Sequence, residues 1–137
     1  MKRSADATWT GGLKDGQGKF SAASGAFKEL KFGFRNRFED EPGTNPEELI
    51  AAAHASCFSM ALSAELGKRG IVPEVVRTGA TIDFENGTLT RSTLRTTVRV
   101  PGAEKAKVEE AAAAAKTGCP ISRVLKLDIV LELAVET

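Results

Sequence analysis

The sequence predicts an α+β fold from three observations: an N-terminal run broken by glycine turns, a long stretch of small and apolar residues from Leu49 to Leu66, and two β-branched segments joined by Glu85, Asn86 and Gly87. With 137 residues, 42% of them hydrophobic, the chain is long enough for one ordinary core and too short for two. Residues 1–137 are therefore expected to form a single domain.

From Asp6 to Phe38 the pattern is strand-like, with Gly11, Gly12, Asp15, Gly16 and Gly18 marking one turn and Ser24 and Gly25 a second. Phe32, Phe34 and Phe38 alternate with Gly33, Arg35, Arg37 and Glu39. An extended segment would set the rings on one face and both arginines on the other. Glu41, Pro42, Gly43 and Asn45 then read as a turn into a helix. Asn45 is placed to cap the free N–H groups and Pro46 suits the first helical position. Glu47 and Glu48 fall in the first turn, where negative charge meets the positive end of the dipole, and Glu48 three residues after Asn45 approximates a capping box. The helix is expected to run to about Lys68, with Gly70 as its left-handed stop.

Val75 to Phe84 and Thr88 to Val100 read as two antiparallel strands around the Glu85-Asn86-Gly87 turn. Pro101 and Gly102 end them, and Ala103 to Lys116 is a second helix ended by Gly118. Cys119 and Pro120 open a short third helix through Leu125. The chain ends in a strand, since Leu127, Ile129, Leu131, Leu133 and Val135 fall at every second position.

Nineteen Lys and Arg against eighteen Asp and Glu leave a formal charge of +1 without a run of like charge. That balance argues against nucleic acid or an anionic membrane as partner and favours a small or neutral one. The Leu49 to Leu66 stretch is interrupted by His54, three Ser and Glu65, which suits a buried helix better than a bilayer span. No secretory pattern is visible at the N-terminus, so the expected compartment is the cytoplasm.

The chain has two cysteines, Cys57 and Cys119, 62 residues apart and outside any C-x-x-C arrangement. Two buried small hydrophobes are the plain reading. Cys57 sits mid-helix among small residues suited to close packing, where the dipole gives its thiolate little help, so a reactive Cys57 needs a nearby cation such as Arg35 or Arg37. Cys119, between Gly118 and Pro120 near a helix start, is favoured as a thiolate by position alone. Local chemistry leaves open which cysteine reacts first.

Three blocks carry more: Phe34-Arg-Asn-Arg37-Phe-Glu, the run from Gly43 through His54 and Cys57 to Leu62, and Lys116-Thr-Gly-Cys119-Pro-Ile-Ser-Arg-Val-Leu125. They resemble the OsmC and Ohr family of organic hydroperoxide resistance proteins, on the side of the OsmC (osmotically inducible protein C) branch. The resemblance extends over essentially the whole chain. It implies antiparallel sheets around a long central helix in an intertwined homodimer, and a thiol peroxidase acting on organic hydroperoxides or hydrogen peroxide without a cofactor. In that mapping Cys57 is peroxidatic, Cys119 resolving, Arg37 the activating cation with Arg35 as rival, and Glu47 the carboxylate that orients it. The implied reductant is a dithiol donor, such as a lipoylated protein. His54 carries no assigned catalytic role and reads as a packing or capping residue.

Glu47 and Cys57 are ten residues apart, roughly 15 Å along one straight helix, which one arginine does not easily bridge. The expectation is that the Glu47 and Cys57 of one active site come from different protomers. Two rivals remain. One is a zinc site drawing on Cys57, Cys119, His54 and Glu47, of which His54 and Cys57 share a helix face. The other is a structural or small-ligand-binding dimer with inert thiols. Phe34, Phe38, Phe58 and Met60 are candidates to line an alkyl pocket, or else plain core.

Overall fold

In the computed structural model, which describes all 137 residues, the chain divides into two compact units, Met1–Leu49 and Ile50–Thr137. The first holds an antiparallel sheet of β1 (Ala5–Thr10), β2 (Gln17–Ala22) and β3 (Leu30–Phe32), in that order. Gly18 lies opposite Phe32, and a Cβ there would overlap the Phe32 ring, so this close approach requires glycine. Trp9 and Phe20 pack on Phe32 with ring centroids 5.6 and 5.5 Å away, and Phe27 meets Phe20 edge-on.

The strand expected to continue to Phe38 stops at Phe32. Phe34–Phe38 forms a short helix, α1. Residues that looked like an alternating strand are an i, i+4 set: the Phe34 and Phe38 rings meet at a tilt with centroids 4.8 Å apart, and Arg35 reaches Glu39 at 3.2 Å. The two arginines consequently do not share a strand face.

The long helix α2 (Pro46–Gly67) begins in the first unit and opens the second. Asn45 Oδ1 accepts the Glu48 N–H at 2.8 Å, which is the expected cap. The Glu48 carboxylate instead takes the Thr44 hydroxyl at 2.9 Å. Gly70 (φ 72°) is the left-handed stop, with the Ile71 N–H returning to the Leu66 carbonyl.

In the second unit β4 (Val75–Glu85) and β5 (Thr88–Arg99) pair antiparallel through Asn86 and Gly87, both at positive φ, the two-residue turn that matches the strand twist. The last strand, β6 (Asp128–Glu136), is a correction to the expected antiparallel sheets, since it runs parallel to β5 from Arg91 opposite Asp128 to Arg99 opposite Glu136. The connection explains it: β5 leads to β6 through α3 (Lys105–Gly118) and α4 (Pro120–Val124), and a helical crossover returns the chain in the same direction. Gly118 is not a left-handed stop but the last residue of α3. The helix breaks at Cys119, extended at φ −55°, ψ 125°, because the residue before a proline is driven out of the helical region.

The core belongs to this second unit. Phe58, Leu62 and Leu66 of α2 pack with Leu94 and Val98 of β5, Val108, Ala111, Ala112 and Ala115 of α3, and Cys119. Ile129, Leu131, Leu133 and Val135 close over them from every second position of β6. By length and mean hydropathy, 1.4 over its most apolar window, α2 also meets the requirement for a membrane span, despite its Ser, His and Glu. Its buried ridge of His54, Phe58, Leu62 and Leu66, four residues apart, is that of a core helix.

Candidate active site

In the first unit the chain folds back so that α1 meets the start of α2. Asn36 Nδ2 donates to the Pro42 carbonyl at 2.9 Å, and Asn45 Nδ2 donates to the Asn36 carbonyl at 3.1 Å. This brings Arg37 to Glu47: Nε and Nη2 both donate to Glu47 Oε1, at 3.0 and 2.7 Å. The two bonds converge on one carboxylate oxygen. Charge-assisted bonds of this length fix the guanidinium plane, and the Phe38 ring lies 5.3 Å from Arg37 Cζ. Arg35 turns to Glu39 and Glu41 instead, at 3.2 and 3.6 Å. Of the two candidate arginines, Arg37 meets Glu47.

Trp9, Leu13, Phe32, Phe34, Phe38 and Arg37 border a cleft of about 290 Å³. Two of the four residues considered for an alkyl pocket, Phe34 and Phe38, are therefore on a cavity wall. Phe58 is plain core and Met60 lies exposed on α2.

In the second unit the break between α3 and α4 sets Cys119 beside Cys57, with their sulfurs 3.0 Å apart and both thiols free. A disulfide is about 2.05 Å long, so bonding requires a shift of about 1 Å. Cys57 is half-buried, whereas Cys119 is completely buried. Burial, and next the hydrogen bond shared with Cys119, pushes the Cys57 thiol above its ordinary 9.0. Burial also pushes Cys119 up, but the neighbouring Cys57 thiol, and next the polar groups of Ser122 and Ile121 at the start of α4, outweigh it, and Cys119 ends below its ordinary value. Left to their own surroundings, Cys119 is the more acidic thiol and Cys57 the more accessible.

His54 is fully buried, with Nδ1 2.7 Å from Ser92 Oγ on β5 and Nε2 2.8 Å from Ser122 Oγ on α4. Burial lowers its pKa from the ordinary 6.5. Sequence reasoning treated His54 as packing and passed over Ser92 and Ser122. A signal was present: His54 precedes Cys57 by three residues and Ser122 follows Cys119 by three, so each lies one turn from a cysteine. With both ring nitrogens engaged by hydroxyls and Glu47 held by Arg37, the residues of the rival zinc reading form no cluster of three or more ligands.

A family model described as OsmC-like protein matches residues 38–134. The chain belongs to the OsmC-like protein family. It is 42% identical to peroxiredoxin OsmC of Escherichia coli over 136 residues, covering 96% of this chain and 95% of that protein. Among solved structures, an OsmC-like protein from Mycoplasma pneumoniae superposes with a TM-score of 0.77 at 14% identity, covering 100% of this chain and 99% of that one. The organic hydroperoxide resistance protein OhrB of Bacillus subtilis gives a TM-score of 0.66 at 24% identity, over 96% of this chain and 98% of that one. At these identities the structural likeness establishes the fold, the α+β OsmC arrangement of two small sheets and a long helix.

Proposed function

We propose that this OsmC-family protein is a cysteine-based peroxidase in which Cys57 is the attacking thiol and Cys119 the resolving one. The observation that carries the assignment is the pairing of a half-buried sulfur with a fully buried one 3.0 Å behind it. Acidity alone favours Cys119, but a hydroperoxide meets Cys57 first. The Cys57 thiolate attacks the O–O bond, an alcohol or water leaves, and a sulfenic acid remains on Cys57. Cys119 then displaces hydroxide from that sulfur, giving water and a Cys57–Cys119 disulfide. A dithiol donor, such as a lipoylated protein, returns both thiols by exchange.

Because its surroundings raise the Cys57 pKa, the first step needs a cation, and the Arg37 guanidinium locked by Glu47 is suited to stabilise the thiolate and polarise the peroxide. Glu47 and Cys57 lie ten residues apart on α2, so we assign the Arg37–Glu47 pair of one protomer to Cys57 of the other, in a homodimer whose two units per chain function as one domain. The cleft beside Arg37 suits the alkyl part of an organic hydroperoxide.

The test is steady-state peroxide consumption with a dithiol donor, comparing wild type, Cys57→Ser and Cys119→Ser on hydrogen peroxide and a bulky organic hydroperoxide. Cys57→Ser loses turnover on both substrates, and Cys119→Ser stalls after one equivalent per site. Consumption by Cys57→Ser at the wild-type rate refutes the assignment. An unreactive wild type favours the inert-thiol reading.

A further inference from the structure

Disulfide formation makes a demand on the fold that the two sulfurs do not meet by themselves. Both thiols are free, so nothing covalent holds Cys119 against Cys57, yet their sulfurs stand 3.0 Å apart. Upstream, Cys119 continues from α3, its N–H donating to the Ala115 carbonyl at 2.9 Å. Downstream it leads into α4, which is five residues long, far below the length at which a helix holds itself together in water. Little apolar burial keeps α4 in place. Ile121 is half-buried against the core, Val124 is 74% exposed, and Ser122 is the one buried residue of the helix.

Ser122 is where α4 is fastened. Its Oγ lies 2.8 Å from His54 Nε2, and Ser92 Oγ, on the central strand β5, lies 2.7 Å from His54 Nδ1. All three side chains are buried, where leaving a polar group unpaired costs more than it does in water. In either neutral tautomer the ring donates to one serine and accepts from the other, so both contacts are satisfied. The spacing matches on the two sides. His54 precedes Cys57 by three residues on α2, and Cys119 precedes Ser122 by three, so the sulfur contact and the His54–Ser122 bond form two rungs between α2 and the α4 corner. The helix itself ties Ser122 back to Cys119: the Arg123 N–H donates to the Cys119 carbonyl and the Leu125 N–H to the Ile121 carbonyl, both at 3.1 Å.

We propose that His54 is a positioning residue for disulfide formation, which through its bond to Ser122 holds α4 docked in the reduced protein and so keeps Cys119 within reach of Cys57. The proposal rests on the peroxidase reading above. It leaves the chemistry of that cycle as it stands: the Cys119 sulfur bonds to the Cys57 sulfur, and the Cys119 proton and the sulfenic hydroxide leave as water. His54 acts through α4 and not on the reacting atoms, and Ser92 holds the far side of its ring so that Nε2 faces Ser122. Once formed, the disulfide holds the corner itself, so the His54–Ser122 bond matters most to the reduced form. Its loss lets reduced α4 come away, lowers the effective concentration of one thiol at the other and makes the disulfide easier to reduce.

The test equilibrates full-length protein with graded ratios of reduced and oxidised dithiothreitol, without peroxide, and measures the free thiols. Ser122→Ala removes one buried oxygen and is expected to lower the equilibrium constant for the Cys57–Cys119 disulfide about tenfold, the order of one net hydrogen bond, which raises the potential by about 30 mV. Ser122→Thr, which keeps the hydroxyl, stays near wild type. His54→Ala shifts the constant at least as far as Ser122→Ala, and combining the two shifts it no further. Leu66→Ala, a core truncation at the far end of α2, lowers thermal stability in both redox forms and leaves the potential where it was. In a single turnover with one equivalent of an organic hydroperoxide, the Ser122→Ala defect falls on disulfide formation and not on the sulfenic acid phase before it.

A wild-type potential in folded Ser122→Ala overturns the proposal. A shift in Leu66→Ala as large as that in Ser122→Ala does the same, because the potential then follows general stability and His54 is a packing residue. If wild type forms no Cys57–Cys119 disulfide even in the most oxidising mixture, the peroxidase reading has failed and this proposal with it.

Discussion

The two units of the chain bury their side chains very differently. Within residues 1–49 Gly18 is the one buried residue, while Trp9, Leu13, Leu30 and Phe38 stand 40%, 66%, 39% and 43% exposed. The second unit holds the whole core cluster, with Phe58, Leu62, Leu66, Leu94 and Val98 at zero exposure. A 49-residue sheet held by four rings and a strand ladder has too little apolar burial to be stable by itself. The contrast teaches that the second unit carries the stability and the thiols, and the first presents a cation beside an apolar surface.

That contrast is sharpened first by truncating an aromatic ring in each unit. Phe58→Ala is expected to cost about 3–5 kcal/mol in a urea titration, as for other buried rings. Phe38→Ala is expected to cost less than about 1 kcal/mol at high dilution, and to weaken the proposed dimer in concentrated solution. Equal losses at the two positions would break the comparison.

Activity gives the next largest effect. Arg37→Ala should lower peroxide reduction roughly 100-fold, the range seen on removing one preorganised donor, with little change in stability because the Arg37 side chain is 39% exposed. Mixing Arg37→Ala with Cys57→Ser protein then tests which protomer supplies the cation. If Arg37 serves the partner, each mixed dimer keeps one intact site, and random re-pairing restores about a quarter of wild-type turnover. If it serves its own Cys57, no site is intact and mixing restores nothing.

Smaller effects follow at the boundary between the units. Asn45→Ala removes the acceptor for the Glu48 N–H and should cost about 1 kcal/mol. The pH dependence of stability is gentler and belongs to the second unit. His54 is lowered from 6.5 by burial, so below that pH the unfolded chain takes up a proton that the folded one refuses. Stability is therefore level above 6.5 and declines as pH falls from there toward the depressed folded value. Glu65, lowered from 4.5 mainly by hydrogen bonds from Lys68 and Arg69, adds a separate loss that begins only below about 4.5. Urea midpoints at pH 8, 6 and 5 check the sign, and His54→Gln should flatten the decline between 6.5 and 4.5.

Much of this architecture was legible in the sequence where a local rule and the tertiary packing agree. Asn45 and Pro46 mark the start of α2 and Gly70 its stop, Asn86-Gly87 specifies the hairpin, and the apolar alternation of β6 matches its burial. Errors came where two rules overlap. Phe34 and Phe38 satisfy a period of two as well as the helical i, i+4 spacing, and Asn36 bonding to the following turn decided for the helix. The direction of β6 depends on a crossover that no local pattern encodes. Arg37 and Glu47 were expected as a pair by resemblance, but which of Arg37 and Arg35 meets Glu47 depends on the fold of α1. The Ser92–His54–Ser122 line stayed hidden because serine is common and its partners lie 38 and 68 residues from the histidine.

The central claim, that Cys57 and Cys119 form one redox pair, is most directly tested by intact mass and peptide mapping of reduced protein after one equivalent of hydroperoxide. The account predicts a mass lower by two hydrogens, a cross-linked peptide pair joining Cys57 to Cys119, and a trappable sulfenic acid on Cys57 when Cys119 is Ser. Peroxide consumed while both thiols remain free to alkylate would contradict it.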